Sequence, residues 1–358
     1  MTETITIGPY HPFLLEPELV DLQVENGKIT DVKITLGYVH RGIEQLLTTK
    51  TYRQGVFLAE RICGICSNVH TLTFCQTVEQ IMDIKLPERA KHIRTIVVEL
   101  ERLHSHYLWL GLLAHAINEA EYFLRILKGR EIVVNLLEWI SGNRVNYAVN
   151  TISGVRRDLT TELISAIKES FDELKSLSNF AIDALDSKET LGSKVAGLGV
   201  VSGEEAIKLG AVGPTLRGSG IESDIRKEDA YAAYPNVSFN VVVEKDGDVR
   251  ARSMVRAKET LESISIIEQL LTNLPNGPIM GALKKPTINE FVGRAEAPRG
   301  ELVYHIKSNG TNIPERVKVR TPTFANAYFL TKALKGEKTE NARPIIESID
   351  PCFACTDR

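Results

Sequence analysis

Two Cys-x-x-Cys pairs stand near opposite ends of the chain, Cys63 and Cys66 in "RICGICSNVH" and Cys352 and Cys355 in "DPCFACTDR". Two intervening residues let both sulfurs of a pair converge on one centre, so the pairs together can place four thiolates around one soft or borderline metal. That condition constrains the fold. The segment around residue 65 must meet the last residues, with almost the whole chain folded between them. A terminus gripped in this way does not fray as most termini do. Spacing leaves the metal open: structural zinc pairs usually lie ~15–20 residues apart, and the cysteines of an iron–sulfur cluster are usually grouped locally. Structural zinc and a redox centre both stand as candidates.

Composition removes other classes. A chain of 358 residues can bury one large core or two modest ones, and 43% hydrophobic with 25% charged residues is the make-up of an ordinary globular protein. A formal net charge of -3 offers no basic surface, so nucleic acid is not an expected partner. The longest strongly apolar run, Tyr107 to Ile117, is broken by His115 and falls far short of the ~20 residues of a spanning helix. The start, "MTETITIGPY", lacks the charged and apolar regions of a secretory signal. The expectation is an intracellular protein that meets a membrane only through partners. Five cysteines, none between Cys75 and Cys352, are no disulfide framework.

Residue patterning predicts a mainly α fold with a β-rich N-terminal part, an α+β class. Two alternating runs, Leu19 to Glu25 and Lys28 to Leu36, flank Asn26-Gly27, the strongest short hairpin signal. Apolar residues then recur at helical spacing from Thr51 to Met82 and from Pro87 to Ile117. Further helices are expected near 118–141, 153–185, 248–272 and 323–335, a glycine-rich loop region over 192–237, and short strands at 238–244 and 301–307. Residues 1–40 form the β part and 41–358 a helical core with inserted loops and strands, in one structural unit.

Four segments, "GPYHPFLLEPE", "HRGIE", "RICGICSNVH" and "DPCFACTDR", resemble the large, nickel-bearing subunit of [NiFe] hydrogenases, and "GPYHP", "HRG" and "LRGSGI" are similar to complex I. Within that family they are similar to the membrane-associated, energy-converting (Ech-type) branch, which is related to the 49 kDa subunit of respiratory complex I. The resemblance spans residues 8 to 358. It implies a central bundle of long helices and a NiFe centre whose iron carries CO and cyanide. By that resemblance Cys63 and Cys352 are terminal nickel ligands, while Cys66 and Cys355 bridge nickel to iron. Thiolates are the soft ligands such metals prefer, and Cys352 is the expected base when H2 is split. Glu16 in "LLEPE" takes the proton onward, with Glu18 as its close competitor.

Further roles follow from the same resemblance. Pro298 and Arg299 in "EAPRG" cover the open side of the iron, with Asp350 as the carboxylate partner of Arg299. Thr321, Pro322 and Thr323 in "RTPTFAN" line the pocket of the other iron ligand. His70, four residues after Cys66, is expected to hydrogen-bond near the site without being a ligand. Arg358 stands where many hydrogenases have a metal-binding histidine, which predicts a Glu44–Arg358 ion pair in place of that metal. Outside the site, Cys75 reads as a buried small hydrophobe. His104 and His106 point to different faces of one helix, one packed and one solvated, and "RGSGIESD" reads as a structural loop near a subunit interface.

The implied activity is reversible interconversion of H2 with two protons and two electrons. With no cysteines left for a cluster of its own, the chain implies a small partner subunit carrying a [4Fe–4S] cluster. Further iron–sulfur and integral membrane subunits that move ions, and ferredoxin as electron partner, complete the implied assembly. It sits on the cytoplasmic side of the membrane, peripheral through its partners. Two other readings are a metal-free, complex I-like subunit of a quinone site and a structural zinc protein.

Overall fold

The computed structural model describes residues 2–11 and 16–358; the "PFLL" part of the first motif, 12–15, lies outside the described residues. The chain opens with a three-stranded antiparallel sheet of β1 (Thr2–Ile7), β2 (Leu19–Glu25) and β3 (Lys28–Thr35). Alternation in β2 buries Val20, Leu22 and Val24 on one face. Asn26 and Gly27, both with positive φ (51° and 74°), make the two-residue turn, and Glu25 pairs with Lys28. Such a turn matches the right-handed twist of its strands. β1 is the strand that the sequence pattern did not reveal.

Five helices follow: α1 (Ile43–Leu47), α2 (Tyr52–Glu60), α3 (Ser67–Ile81), α4 (Glu88–Ala116) and α5 (Ala120–Ser141). The helical pattern expected from Thr51 to Met82 is therefore broken, because residues 61–66 form the turn that carries the first cysteine pair. A capping box of Thr51 with Gln54 starts α2. α4, 29 residues or about 44 Å long, is buried on almost every side. It packs against α5 and α8 (Val249–Thr272), while α6 (Thr161–Glu169) packs on α5 and α7 (Phe171–Asp186) on both α5 and α8. These helices and the N-terminal sheet share one apolar core. The single helix expected over 153–185 is two, separated at Ser170 and preceded by a two-stranded ladder at Asn150–Thr151 and Gly154–Val155.

A second antiparallel sheet holds β4 (Ile288–Ala297), β5 (Gly300–Asn309) and β6 (Pro314–Arg320). It confirms a strand over 301–307 and extends it. The strand expected at 238–244 is absent: the N–H groups of Ser238 and Asn240 donate to the side chains of Gln269 and Glu262 on α8 instead of a ladder. Gly293 lets β4 lie flat on α3, since a Cβ there would come within 2.0 Å of the Thr77 hydroxyl. α9 (Pro322–Ala333), α10 (Ala342–Ser348) and α11 (Phe353–Asp357) complete the chain. α2, α3, the second sheet and all four paired cysteines form a second core. The architecture is the α+β fold expected, with more β structure than the sequence suggested. No described helix is long and apolar enough to cross a membrane.

Candidate metal centre

The turn after α2 ends with Cys66 at the N-cap of α3, and Cys352 occupies the N-cap of α11 with Cys355 one turn on. All four thiols are buried and free of disulfides. Cys63 Sγ lies 3.5 Å from Cys352 Sγ, Cys66 Sγ 3.3 Å from Cys355 Sγ, and Cys352 Sγ 3.1 Å from Cys355 Sγ. These separations exceed the ~2.05 Å of a disulfide and approach the roughly 3.8 Å between sulfurs sharing one metal at ~2.3 Å. The fold thus brings the two distant pairs onto one point.

Charge at this point is shared. Donation from the Cys352, Cys355 and Cys66 thiols holds Cys63 well below the usual thiol range, and the N–H groups of Ile65 and Cys66 also point at its sulfur, each at 3.3 Å. Cys66 is driven up by its bond to Cys352, and Cys355 by burial. One negative charge is easily held; full deprotonation of the quartet needs a cation among the sulfurs.

The surrounding groups fit a metal with further ligands. Pro298 and Arg299 form the two-residue turn between β4 and β5, where Ala297 pairs with Gly300. This hairpin delivers the Arg299 guanidinium to Asp350: Nη2 donates to Oδ1 at 2.7 Å, Nε to the Asp350 carbonyl at 2.8 Å, and Nη1 to Ser105 Oγ at 3.2 Å. Burial opposes its charge, but Asp350 and the sulfurs of Cys352, Cys66 and Cys63 keep it protonated. Thr321 and Pro322 open α9, and Thr323 Oγ1 accepts the N–H of Cys352 at 3.1 Å. Thr321 Oγ1 and Asp350 Oδ2 are buried and lack a partner among the described residues. Orphaned polar atoms around a sulfur cluster suit additional metal-bound groups.

His70 bridges Cys355 Sγ (3.5 Å from Nε2) and the Tyr304 hydroxyl (2.8 Å from Nδ1). Burial lowers its pKa to about 4, so the ring is neutral and Nε2–H faces the sulfur when Tyr304 donates to Nδ1. Glu16 Oε2 accepts the N–H of Ala354, between the last two cysteines, at 2.8 Å. Burial raises Glu16 against that bond, and the charge on Cys63 adds to the rise.

The expected Glu44–Arg358 pair is present, Arg358 Nε donating to Oε1 at 2.8 Å. A second cation, missed in the sequence, joins it: Lys318 Nζ reaches Oε2 at 2.6 Å, and the Val319 N–H reaches Oε1 at 2.9 Å. Three other contributors also went unread. Arg41 donates to the carbonyls of Arg61 and Ile62 (2.8 Å each) and of Ala354 (2.7 Å), tying the two cysteine segments together. Asp357 accepts the N–H groups of Gly37 and Val39 at 2.8 and 3.1 Å. Glu101 on α4 accepts the first N–H groups of α3, from Asn68 and Val69, at 2.5 and 2.9 Å. Only "HRG" hinted at any of these.

Outside the site, Cys75 is fully buried as expected, its thiol pushed up by burial. The expectation that one of His104 and His106 is solvated fails: both are buried, His106 on Glu259 at 2.8 Å and His104 beside the Tyr147 hydroxyl at 3.4 Å. α4 is enclosed all round, so neither face meets water. The "RGSGIESD" loop turns Arg217 and Asp224 inward and leaves Glu222 exposed, Arg217 meeting Glu259 and Glu296 at 2.8 Å each.

Fold and site define a mainly helical chain whose turn at 61–66 and last residues bring four buried thiols together. Similarity to known proteins agrees. Residues 41–117 match the family described as "Nickel-dependent hydrogenase", and residues 117–289 and 281–358 match "Respiratory-chain NADH dehydrogenase, 49 Kd subunit". The chain is 38% identical to the "Carbon monoxide-induced hydrogenase" of Rhodospirillum rubrum, over 100% of this chain and 99% of that one. It is 39% identical to the "Membrane-bound hydrogenase subunit alpha" of Pyrococcus furiosus, over 99% and 87%. A chain in the structure of the membrane-bound sulfane sulfur reductase, an archaeal respiratory membrane complex, superposes with a TM-score of 0.94 at 28% identity, covering 100% of this chain and 98% of that one. The protein belongs to the family that joins the large subunits of energy-converting, membrane-bound [NiFe] hydrogenases to the 49 kDa subunit of complex I.

Proposed function

We propose that this chain is the catalytic subunit of an energy-converting [NiFe] hydrogenase, interconverting H2 with two protons and two electrons. The observation that carries this reading is the convergence of four cysteine sulfurs at 3.1–3.5 Å contacts. Cys63, Cys66, Cys352 and Cys355 would together hold a nickel–iron centre whose iron bears CO and cyanide. That centre, when bound, supplies the polarisation that makes H2 acidic. The chain supplies the rest. The Cys352 sulfur accepts the proton, and Glu16 receives it next. Arg299, locked by Asp350, points fixed donors at the iron side, where Pro298 and Pro322 exclude water and the Thr321 hydroxyl can bond a metal ligand.

Electrons leave through a partner carrying a [4Fe–4S] cluster, and ferredoxin is the proposed acceptor and donor. Membrane subunits would couple the reaction to ion movement and hold the protein at the cytoplasmic face. The match of residues 117–358 to the 49 Kd subunit family favours a second reading, a metal-free subunit at a quinone site. Such a site has no use for four convergent thiols. Cys352→Ala in the intact complex separates the two: H2-dependent reduction of an artificial acceptor should fall to background, and retained turnover would refute the proposed chemistry.

A further inference from the structure

Glu18, immediately before β2, is 1% exposed, and neither of its carboxylate oxygens has a partner among the described residues. Several buried acids here are paired with cations, Glu99 with Arg102 and Arg226, Glu259 with Arg217 and Asp350 with Arg299, and Glu101 is held by two backbone N–H groups. Among the described residues, the charged groups that act on Glu18 are the acids Asp357, Glu347 and Glu16. Asp357 has one oxygen, Oδ2, fixed by two backbone N–H groups. Glu16 sits at the cysteine cluster, on the Ala354 N–H. Glu347, on α10, is 7% exposed, and its charged neighbours are Arg343 and Asp350. Its backbone is held by the Trp109 indole, which donates to the Glu347 carbonyl at 2.7 Å.

Glu18 is therefore within electrostatic reach of an acid beside the cysteine cluster and of a second, slightly less enclosed acid on α10. We propose that Glu18 and Glu347 carry the proton onward from Glu16 towards solvent. The proposal rests on the hydrogenase reading and adds two residues to it. Burial and the three acids push Glu18 up to about 8, and burial brings Glu347 to about 7. A neutral carboxylic acid is donor and acceptor at once. When Glu16 passes a proton through intervening water to one oxygen of Glu18, the O–H on the other oxygen releases its own proton, again through water, to Glu347. Glu16 returns to carboxylate, Glu18 ends neutral as it began, and the electrons of H2 leave separately through the metal centre. Evolution of H2 runs the same steps backwards. A merely space-filling Glu18 would need no ionisable hydrogen, so glutamine would serve equally well.

The test uses the whole complex with Glu18→Gln, compared with wild type for nickel content, para-to-ortho conversion of H2, and exchange of D2 with solvent protons. Conversion needs only local return of the proton, whereas exchange needs the path. The expected result is normal nickel, retained conversion, and exchange and net H2 oxidation lowered at least about tenfold. Glu18→Asp should recover part of the exchange, and Glu347→Gln should lower it as well. Wild-type exchange in Glu18→Gln overturns the relay. Loss of conversion together with exchange at normal nickel also overturns it, placing Glu18 in the chemistry at the metal. A wild-type complex that contains no nickel and converts no H2 overturns the hydrogenase reading itself.

Discussion

Arg41 and Glu44, three residues apart in "HRGIE", hold the end of the chain in two ways. Arg41 donates to backbone carbonyls on both cysteine segments, while Glu44 takes Arg358 and Lys318 on its two oxygens. Burial alone would raise Glu44, but these bonds and the Val319 N–H outweigh it and hold the carboxyl below its usual range. A depressed carboxylate contributes stability that is present above the ordinary pKa of ~4.5 and is lost as pH falls through the folded value. Glu44→Gln should therefore cost about 1–3 kcal/mol at pH 7, and thermal unfolding of the complex should show the difference from wild type shrinking below about pH 4. An equal difference at both pH values would exclude an ionic role. Arg41→Lys keeps the charge but loses the fork, and should lower nickel occupancy while the chain still assembles. The pairs Glu44–Arg358 and Arg299–Asp350 were readable because each lies in a motif. Lys318, Glu101 and the isolation of Glu18 were not, since each depends on what a distant element brings opposite it.

Among the elements, the long helices were legible from their apolar spacing, and α8 and α9 fall within a residue or two of their expected bounds. The second sheet was half hidden. In β4 the residues from Ile288 to Val292 are all exposed, so no alternation marks the strand. The "SFNVVVE" stretch has strand-like composition, yet α8 side chains satisfy its backbone. α4 disguises its role differently, because it buries charge as well as apolar surface. Glu99 accepts from Arg102, Arg226, Ser263 and Tyr234, and those cations hold it ionised despite burial. Glu99→Ala would leave the Arg102 guanidinium without a carboxylate in the core, while Arg226 keeps Asp224 at 2.6 Å, for an expected loss of about 3–5 kcal/mol. Chemical denaturation of the purified complex would measure it; a change within 0.5 kcal/mol, the order seen at ordinary surface positions, would show that the network is not electrostatically essential.

For the whole molecule, the architecture is a long excursion that returns to its starting point. The segment following the N-terminal sheet, 37–44, backs the last seven residues through Asp357, His40 and Arg358, and the turn between α2 and α3 supplies the facing cysteines. Sequence spacing alone required this closure but left the metal undecided. The fold does not decide it either, since a chain of the sulfane sulfur reductase complex shares it at a TM-score of 0.94. What sets this chain's reading is the chemistry at the closure: four thiols, a locked guanidinium, an orphaned hydroxyl and a raised carboxyl beside them. The most direct test is the nickel, iron and zinc content of the complex purified anaerobically. About one nickel per chain, with iron beyond that of the partners' clusters, is the predicted result. Full zinc without nickel, or no metal at the four cysteines of a fully matured complex, would contradict it.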